Sequence, residues 1–336
     1  MIGKTASCAA MAITFAAYAL PGVATGWHRL LAVAAVVALT AANLRGVTRT
    51  ALAARVLLGM ILLTLGTVLI VCLASDTRAP DPWAATGKGD VFGVLQAAGL
   101  LFFAFAGYAR IATLAEEVRR PRVLGRAILI ALGVAIAIYA LVAYCLLLVL
   151  GTGLANERTP VAAAAEAAGG SWAGIVARVG ATAACLGALL ALLAGVGRTV
   201  LAMARERDLP TALASVHPRH HVPDRAQVVI AGAITALVCV ADLRTAIGFS
   251  SFGVLVYYAI TNLAAFRQPA AERRWPRAIN IAGLSACLAL ALTLPLSSVL
   301  TGAAVLLVGI IGRGLPPSAS PRTPRQPTNG REKTQP

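Results

Sequence analysis

The sequence predicts an all-α integral membrane protein, and three features carry that prediction. The 336 residues are 59% hydrophobic and 12% charged, with a mean hydropathy of +0.80. The apolar residues are gathered in stretches long enough to cross a bilayer, which takes about 20 residues of helix. Lysine and arginine are concentrated in every second connection between those stretches, as expected for loops on the cytoplasmic side.

Ten stretches have the length and apolarity of a membrane-spanning helix. Two separators between neighbouring stretches are thin, namely Asp242 with Arg244 and Pro295, so counts from about nine to about eleven fit the sequence. We expect about ten transmembrane helices, at residues 5–20, 27–43, 52–74, 91–115, 127–150, 172–203, 227–241, 245–266, 278–294 and 296–312.

The distribution of basic residues orients the chain. All but six of the 29 lysines and arginines fall at Lys4, in alternate loops or in the C-terminal segment. The six exceptions are Arg29, Arg78, Lys88, Arg158, Arg178 and Arg244. Because basic residues gather in cytoplasmic loops, we predict that both termini are cytoplasmic and that the chain is a multi-pass protein of the cell (plasma) membrane.

The formal net charge of +16 would favour nucleic-acid binding in a soluble chain. Here the charge is divided among short loops between apolar helices, so we interpret it as an orientation signal. The predicted partners are the lipid bilayer and a small-molecule substrate, and no nucleic acid. The sequence gives no indication of the oligomeric state.

Motifs of enzyme chemistry are missing from the sequence. The six cysteines lie in apolar segments without C-x-x-C spacing and are expected to be packing residues. His217, His220 and His221 share a loop, but no carboxylate or cysteine spacing supports a metal site there. With no catalytic triad and no phosphate-binding loop either, we expect no catalytic residue, metal or cofactor.

The two ends of the chain need separate interpretation. Residues 5–20 follow a lone Lys4 and precede AYALPGVATG, so a cleavable signal peptide is an alternative to a retained span. The short loop to the next apolar stretch favours the retained span. Residues 313–336 are rich in Pro, Ser, Thr and Arg, and they are predicted to form a disordered cytoplasmic tail.

The stretch FFAFAGYARIATLAEEVRRPRVLGR, from Phe102 to Arg126, is the most informative part of the chain. An apolar helix is interrupted by Gly107 between aromatic residues and then ends in an acidic and basic cluster. Lipid cannot satisfy backbone polar groups, so an interruption at membrane depth predicts a protein-lined cavity. The alternative is that Gly107 only permits close helix packing and that the aromatic residues face lipid.

This stretch resembles the sixth helix of the amino acid-polyamine-organocation superfamily, which commonly reads FFAFxGF followed by EEV, a proline and PRAI. The matching positions are 102–107, 116–118, Pro121 and 126–128. A second block, Gly197-Arg198 through AMARERDLPTALASVHPRHHVPDRA, is similar to the eighth helix and following loop of the superfamily. NLRGV at 43–47 and AIGFSSFGVLVYYAITNLAAFR at 246–267 extend the resemblance over nearly the whole chain.

The resemblance implies a LeuT-type bundle of two inverted repeats, with a midplane site formed by one broken helix from each repeat. Members of the superfamily usually have twelve helices. Against that pattern, this sequence is expected to lack the first two helices. The transmembrane permease domain, 1–312, then comprises an incomplete first repeat at 1–75, a second repeat at 91–266 and accessory helices at 278–312.

The break supplies the candidate substrate-binding residues. A half-helix ending near residue 101 directs carbonyls into the gap, so the Ala104 and Ala106 carbonyls are candidates for holding a substrate amino group. Phe103 and Phe105 are candidates for a gate or apolar lid. The remaining candidates are Gly107, Tyr108 and Arg110.

Charged residues on the cytoplasmic side of the break offer a second feature. Arg110 lies about 5 Å along a helix from Gly107, where it can pair with a substrate carboxylate or an acidic neighbour, or extend toward the cytoplasm. Glu116 and Glu117, with Arg198 from the eighth helix of the superfamily pattern, form a candidate cytoplasmic gate. The alternative is a solvated helix end with weak surface ion pairs.

The function implied is secondary-active transport of amino acids or related amines by alternating access, either proton-coupled or by exchange. The alternative is an N-terminally truncated, non-transporting permease remnant or assembly partner. A channel would need a continuous polar stripe, and the sequence offers only scattered polar residues: Gln96, Tyr139, Tyr144, Ser250, Ser251 and Asn262. The region 183–197 has no Ser or Thr for sodium, and no lysine lies near Met60 for protons.

Overall fold

The computed structural model describes residues 1–46, 51–82, 90–105, 107, 121–269, 273 and 276–314. These residues form α-helices, two short 3₁₀ segments and connections, with no strand among them, which confirms the all-α prediction. The helices are α1 (Ile2–Ala19), α2 (Thr25–Leu44), α3 (Ala51–Ala74), α4 (Val91–Phe105), α5 (Pro121–Leu150), α6 (Pro160–Gly169), α7 (Ser171–Arg205), α8 (Asp224–Val240), α9 (Leu243–Phe266), α10 (Arg277–Thr293) and α11 (Leu296–Gly314). The 3₁₀ segments are Gly151–Asn156 and Thr211–Ala214.

Each of the ten predicted spans overlaps one of these helices, although the span predicted at 91–115 is described as α-helix only to Phe105. Among the described residues, five helices are long and apolar enough to cross a membrane by themselves: α2, α3, α5, α7 and α9. α10 and α11 pass the same test as a pair that bends by 115° between Thr293 and Leu296. Pro295 explains the bend, because its ring and missing N–H interrupt a helix.

One helix, α6, was not predicted from the sequence. It is ten residues long, too short for a span, and it packs against α3, α5 and α7. Two signals mark it: Pro160 stands at its first position, and Gly170 follows it with φ of 79°. Proline is common at the first position of a helix, and glycine is common just after its last residue.

α1 lies at the centre of the bundle, where it contacts α2, α7, α8 and α9. Its inward residues are small and fully buried: Ala6, Cys8, Ala9, Ala10, Ala12 and Ala16. Small side chains let helix backbones approach closely, which is how helices associate without a hydrophobic driving force between them. Among the described helices, α1 does not pass the test for a span by itself, so the choice between a retained span and a signal peptide at 5–20 stays a prediction.

The crossing of α1 and α9 combines close backbone approach with a buried hydrogen bond. A Cβ at Gly3 would lie 3.0 Å from the Ser250 carbonyl oxygen, and Gly253 lies directly opposite Gly3. Ser7 Oγ donates to the Gly3 carbonyl at 3.1 Å, and the Ser7 and Ser250 hydroxyl oxygens are 2.7 Å apart. Both serines are buried, so this pair fixes the two helices in register.

The three larger clusters of buried apolar residues connect the helices of the bundle. One joins α1, α2, α7 and α8, and a second joins α3, α5, α6 and α7. A third joins α9, α10 and α11 to α4. α4 therefore rests on α9 and α10, and α9 rests on the central helix α1 through the serine pair. The assignment of these helices to inverted repeats, and the boundaries 1–75, 91–266 and 278–312, stay predictions.

A double-mutant cycle tests the serine pair. We expect Ser7→Ala and Ser250→Ala to show a coupling of about 0.6 kcal/mol, with an upper bound near 1.7 kcal/mol, as for interhelical hydrogen bonds in other membrane proteins. The measurement is the free energy of unfolding in mixed micelles titrated with sodium dodecyl sulfate. Strictly additive losses would contradict the hydrogen bond.

Candidate functional site

α4 ends at Phe105, and Gly107 lies in a turn two residues later. Of the predicted substrate-binding residues, Ala104 is exposed, Phe103 and Phe105 are half-buried, and Gly107 is exposed. Ala106, Tyr108, Arg110, Glu116 and Glu117 lie outside the described residues.

Two edge-to-face aromatic contacts hold the last turn of α4. The Phe102 ring lies 5.7 Å from the Tyr258 ring of α9 with an interplanar angle of 78°. The Phe105 ring lies 5.2 Å from the Tyr139 ring of α5 with an angle of 76°. Such pairs stabilise by about 0.5–1.5 kcal/mol beyond the area they bury. The end of α4 is therefore fixed between α5 and α9.

The same Tyr139 donates its hydroxyl to the carbonyl oxygen of Ala104 at 3.2 Å. In a continuous helix this carbonyl would accept from the backbone amide four residues later. In the sequence, Tyr139 is only one of several scattered polar residues. The signal that could have identified it is chemical, since a tyrosine within an apolar helix needs a partner for its hydroxyl.

Among the described residues, Gly99 packs closely against a neighbouring helix and Gly107 does not. A Cβ at Gly99 would lie 3.1 Å from the Leu290 carbonyl oxygen and 3.1 Å from Leu294 Cδ2, both on the α10 side. A Cβ at Gly107 would meet no described atom within 4 Å. Among the described residues, nothing supports the alternative that Gly107 serves helix packing.

Gln96 ties the first half of α4 to its neighbours. Its Nε2 donates to the Thr293 carbonyl at the end of α10 at 3.0 Å, and its Oε1 accepts from Arg244 of α9 at 3.2 Å. Sequence reasoning also placed Gln96 among the scattered polar residues. A single amide thus connects three helices, which periodicity along one helix could not indicate.

A cavity of about 540 Å³ lies beside α4 on the side of Leu100. Apolar residues of α1, α4, α8 and α9 form part of its wall, and charged residues from the ends of helices form another part. The charged and imidazole-bearing residues are His28, Arg29, Glu157, Arg158, Asp242 and Arg244. Of the predicted substrate-binding residues that the structure describes, none lines this cavity, so the described part of α4 shows two separate features.

Asp242 caps the N-terminus of α9. Its Oδ1 accepts from the Thr245 backbone amide at 2.8 Å. Hydrogen bonds from the Thr245 side chain and backbone hold the pKa of Asp242 below its ordinary value. The carboxylate at this edge of the cavity is therefore ionised at neutral pH.

The predicted cytoplasmic gate is described on one side only. Arg198 lies exposed on α7 and forms no ion pair with the described residues. The ion pair that these residues do contain joins Arg178 of α7 to Glu166 of α6 at 2.8 Å. The pairing of Arg198 with Glu116 or Glu117 stays a prediction.

The surroundings of the cysteines and of the loop with His217, His220 and His221 indicate structural roles for these residues. All six cysteines are free, and Cys8, Cys72, Cys145 and Cys185 are buried, in line with packing residues. His217 Nδ1 accepts from the backbone amides of Arg219 and His220 at 3.2 and 3.3 Å, which shapes the turn. Within the described ranges, no three metal-ligating side chains come together.

The described part of the chain is a bundle of apolar helices, five of them long enough to cross a membrane by themselves, which is typical of a multi-pass membrane protein. Comparison with known families agrees, because the model of the family described as amino acid permease matches residues 1–317. The chain belongs to the amino acid permease family. This family assignment confirms the resemblance inferred from the 102–126 and 197–226 blocks.

Individual relatives extend the comparison. An uncharacterised transporter of Mycobacterium tuberculosis is 50% identical over 317 residues, which cover 94% of this chain and 71% of the relative. Cationic amino acid transporter 4 of Homo sapiens is 33% identical over 195 residues, covering 56% of this chain and 31% of that protein. A branched-chain amino acid permease of Bacillus subtilis is 30% identical over 166 residues, covering 49% and 36%.

The two glycines of α4 provide a test of which one serves packing. We expect Gly99→Ala to lower the melting temperature of the detergent-purified protein, since the new methyl group overpacks the α4–α10 contact at a cost of about 1–3 kcal/mol. The matched substitution Gly107→Ala should leave the melting temperature nearly unchanged. Equal losses in fluorescence-detected size-exclusion melting would contradict the assignment.

Proposed function

We propose that this chain performs secondary-active transport of amino acids or related amines by alternating access, with the end of α4 as its substrate site. The observation that carries the proposal is the Ala104 carbonyl, which lies at the end of the described part of an apolar helix and accepts from the Tyr139 hydroxyl. A carbonyl that accepts from a neutral hydroxyl accepts more strongly from an ammonium group. The substrate amino group is therefore its natural ligand.

The contacts at Ala104 hold the proposed site in place before substrate binds. The Tyr139 hydroxyl donates to the Ala104 carbonyl, and the Tyr139 ring packs against Phe105. When a substrate ammonium arrives, it takes the place of the Tyr139 hydroxyl, and the aromatic pair remains as an apolar wall beside it. Phe103 and Phe105 serve as the lid, with Ala106, Gly107, Tyr108 and Arg110 completing the site.

The substrate class is drawn from the family and from the chemistry of the break. Relatives include proteins named for cationic and for branched-chain amino acids, which share the α-amino group that the Ala104 carbonyl would bind. Proton coupling or exchange drives the cycle in this proposal, and the cell membrane with both termini cytoplasmic is its setting. Arg198 with Glu116 and Glu117 closes the cytoplasmic side.

Uptake into proteoliposomes that contain only this chain tests the function directly. We expect saturable accumulation of at least one labelled amino acid from a panel of basic, branched-chain and small neutral species. An inward proton gradient should accelerate uptake under proton coupling, whereas unlabelled substrate inside the vesicles should accelerate it under exchange. Uptake equal to that of protein-free vesicles for the whole panel would contradict transport by this chain.

Substitution of Tyr139 tests the role of the Ala104 carbonyl. In Tyr139→Phe the ring contact with Phe105 is kept and the competing hydroxyl is removed. Because one hydrogen bond contributes about 0.5–1.5 kcal/mol, we expect KM for uptake to fall by roughly 2- to 10-fold. The matched control is Tyr257→Phe, whose exposed hydroxyl makes no hydrogen bond with the described part of the chain. A rise in KM would show that Tyr139 itself binds substrate.

A further inference from the structure

The end of α9 meets the beginning of α10, and we call this region, residues 266–277 with the flanking turn of each helix, the α9–α10 end. α9 ends at Phe266, α10 begins at Arg277, and the two helices pack against each other. The Asn262 side chain lies against Gly283, and the Arg277 guanidinium lies over the Phe266 ring. These contacts pair later residues of α9 with earlier residues of α10, so the two helices run antiparallel. In the predicted orientation the α9–α10 end is cytoplasmic.

Positive charge is concentrated at the α9–α10 end. The sequence from 267 to 277 contains four arginines and one acidic residue, Glu272, so its formal charge is four minus one, or +3. Arg267, Arg273 and Arg277 are described, and none of them forms an ion pair with the described residues. Arg274 and Glu272 lie outside the described residues. The α9–α10 end therefore carries an excess of guanidinium groups, which stay protonated in proteins.

The described partners of two of these guanidinium groups do not neutralise their charge. The Arg277 Cζ lies 5.3 Å from the centroid of the Phe266 ring, which is a cation–π contact. Arg273 Nη2 donates to the neutral Gln268 carbonyl at 2.7 Å, whereas Arg273 Nε is buried and has no hydrogen-bond partner in the described part of the chain. A buried donor without a partner is costly. An anionic oxygen at the α9–α10 end would supply that partner.

Exposed apolar residues lead along both helices to the arginines. On α9, the exposed side chains of Ile260 and Leu263 share a face with Arg267, because positions i, i+3 and i+7 lie on one side of a helix. On α10, the exposed Ile281 shares a face with Arg277 at spacing i, i+4. Each helix thus presents an apolar surface that ends in a guanidinium group at the same end of the antiparallel pair.

This combination of charge and apolar surface has the chemistry of a phospholipid site. A phosphate group accepts two parallel hydrogen bonds from one guanidinium, which are among the stronger hydrogen bonds in proteins. Anionic lipids of the cytoplasmic leaflet attract basic segments that lie next to membrane helices. A soluble anion would match the arginines but would leave the apolar surfaces below them without a role. An anionic phospholipid matches both.

We infer that the α9–α10 end is a binding site for an anionic phospholipid. The lipid phosphate accepts from Arg267, Arg273 and Arg277. One acyl chain lies along Leu263 of α9, and the other lies along Ile281 of α10. The site does not rest on the proposed transport function, because it lies apart from the end of α4 and needs no transported substrate.

Photo-crosslinking in vesicles tests the site where it lies. The photoreactive residue p-benzoylphenylalanine replaces Leu263 in the full chain, which is reconstituted in phosphatidylcholine with a minor share of phosphatidylglycerol. Mass spectrometry then gives the ratio of the two lipids crosslinked to the chain. We expect phosphatidylglycerol to be enriched at least about fivefold over its share of the bilayer, the effect of one arginine near the membrane surface.

The matched control is the same photoreactive residue at Leu63, which is exposed on α3 and has no charged residue within seven positions on either side. Its crosslinked lipids should have the ratio of the bilayer. This comparison needs no arginine variant, so it decides the question regardless of how such variants fold. Equal ratios at the two positions would overturn the inference.

Arginine variants then test which groups hold the headgroup. Arg267→Gln and Arg277→Gln should each lower the enrichment at Leu263 about fivefold, toward the ratio of the bilayer. Arg205→Gln removes an exposed arginine from the end of α7 and should leave the enrichment unchanged. Undiminished enrichment in the Arg267→Gln/Arg277→Gln double variant would overturn the inference.

A competition experiment separates a lipid headgroup from a soluble anion. Inorganic phosphate is added to the vesicles and compared with sodium chloride of the same ionic strength. We expect equal enrichment at Leu263 in both, because the bound lipid also has its acyl chains on the apolar surfaces. Loss of enrichment in phosphate alone would assign the arginines to a soluble anion and would overturn the lipid site.

Discussion

A backbone carbonyl at the depth of a bilayer has no water to bond with, and a helix that ends there must find other donors for its last carbonyls. At the end of the described part of α4, the Tyr139 hydroxyl donates to the Ala104 carbonyl, and the other described contacts of the site lie beside this hydrogen bond. Phe105 packs on the same tyrosine, and Phe102 packs on Tyr258 of α9. One hydrogen bond and two aromatic contacts thus position the end of the described part of α4.

The position of α4 depends in turn on close contacts between helices. Gly99 allows α4 to approach α10, and Gln96 joins α4 to both α9 and α10. α9 is anchored to the central helix α1 by the Ser7–Ser250 hydrogen bond. Lipid tails are as apolar as the side chains of these helices, so close packing and buried hydrogen bonds provide the specificity that a hydrophobic core provides in water.

The sequence was sufficient to predict ten of the eleven described α-helices, and it was insufficient to predict the contacts between them. Apolar stretches of span length predicted ten of the helices, whereas α6 escaped because ten alanine-rich residues between two spans carry no span signal. Tyr139 and Gln96 appeared scattered, because their partners lie 35 and 197 residues away along the chain. Arg158, Asp242 and Arg244 were interpreted only as loop charges, and the structure brings them together around one cavity. The described part of α4 ends at Phe105, inside the motif at 102–107, and the break inferred from glycine and aromatic residues there stays a prediction.

The central claim is that a substrate amino group replaces Tyr139 at the Ala104 carbonyl. A cryo-electron microscopy structure of the chain with a transported amino acid bound tests it most directly. The account predicts the ligand nitrogen within about 3.2 Å of the Ala104 oxygen, in the range of a hydrogen bond, with the Tyr139 hydroxyl displaced from that oxygen. A bound amino acid elsewhere, with the Tyr139–Ala104 hydrogen bond intact, would contradict it.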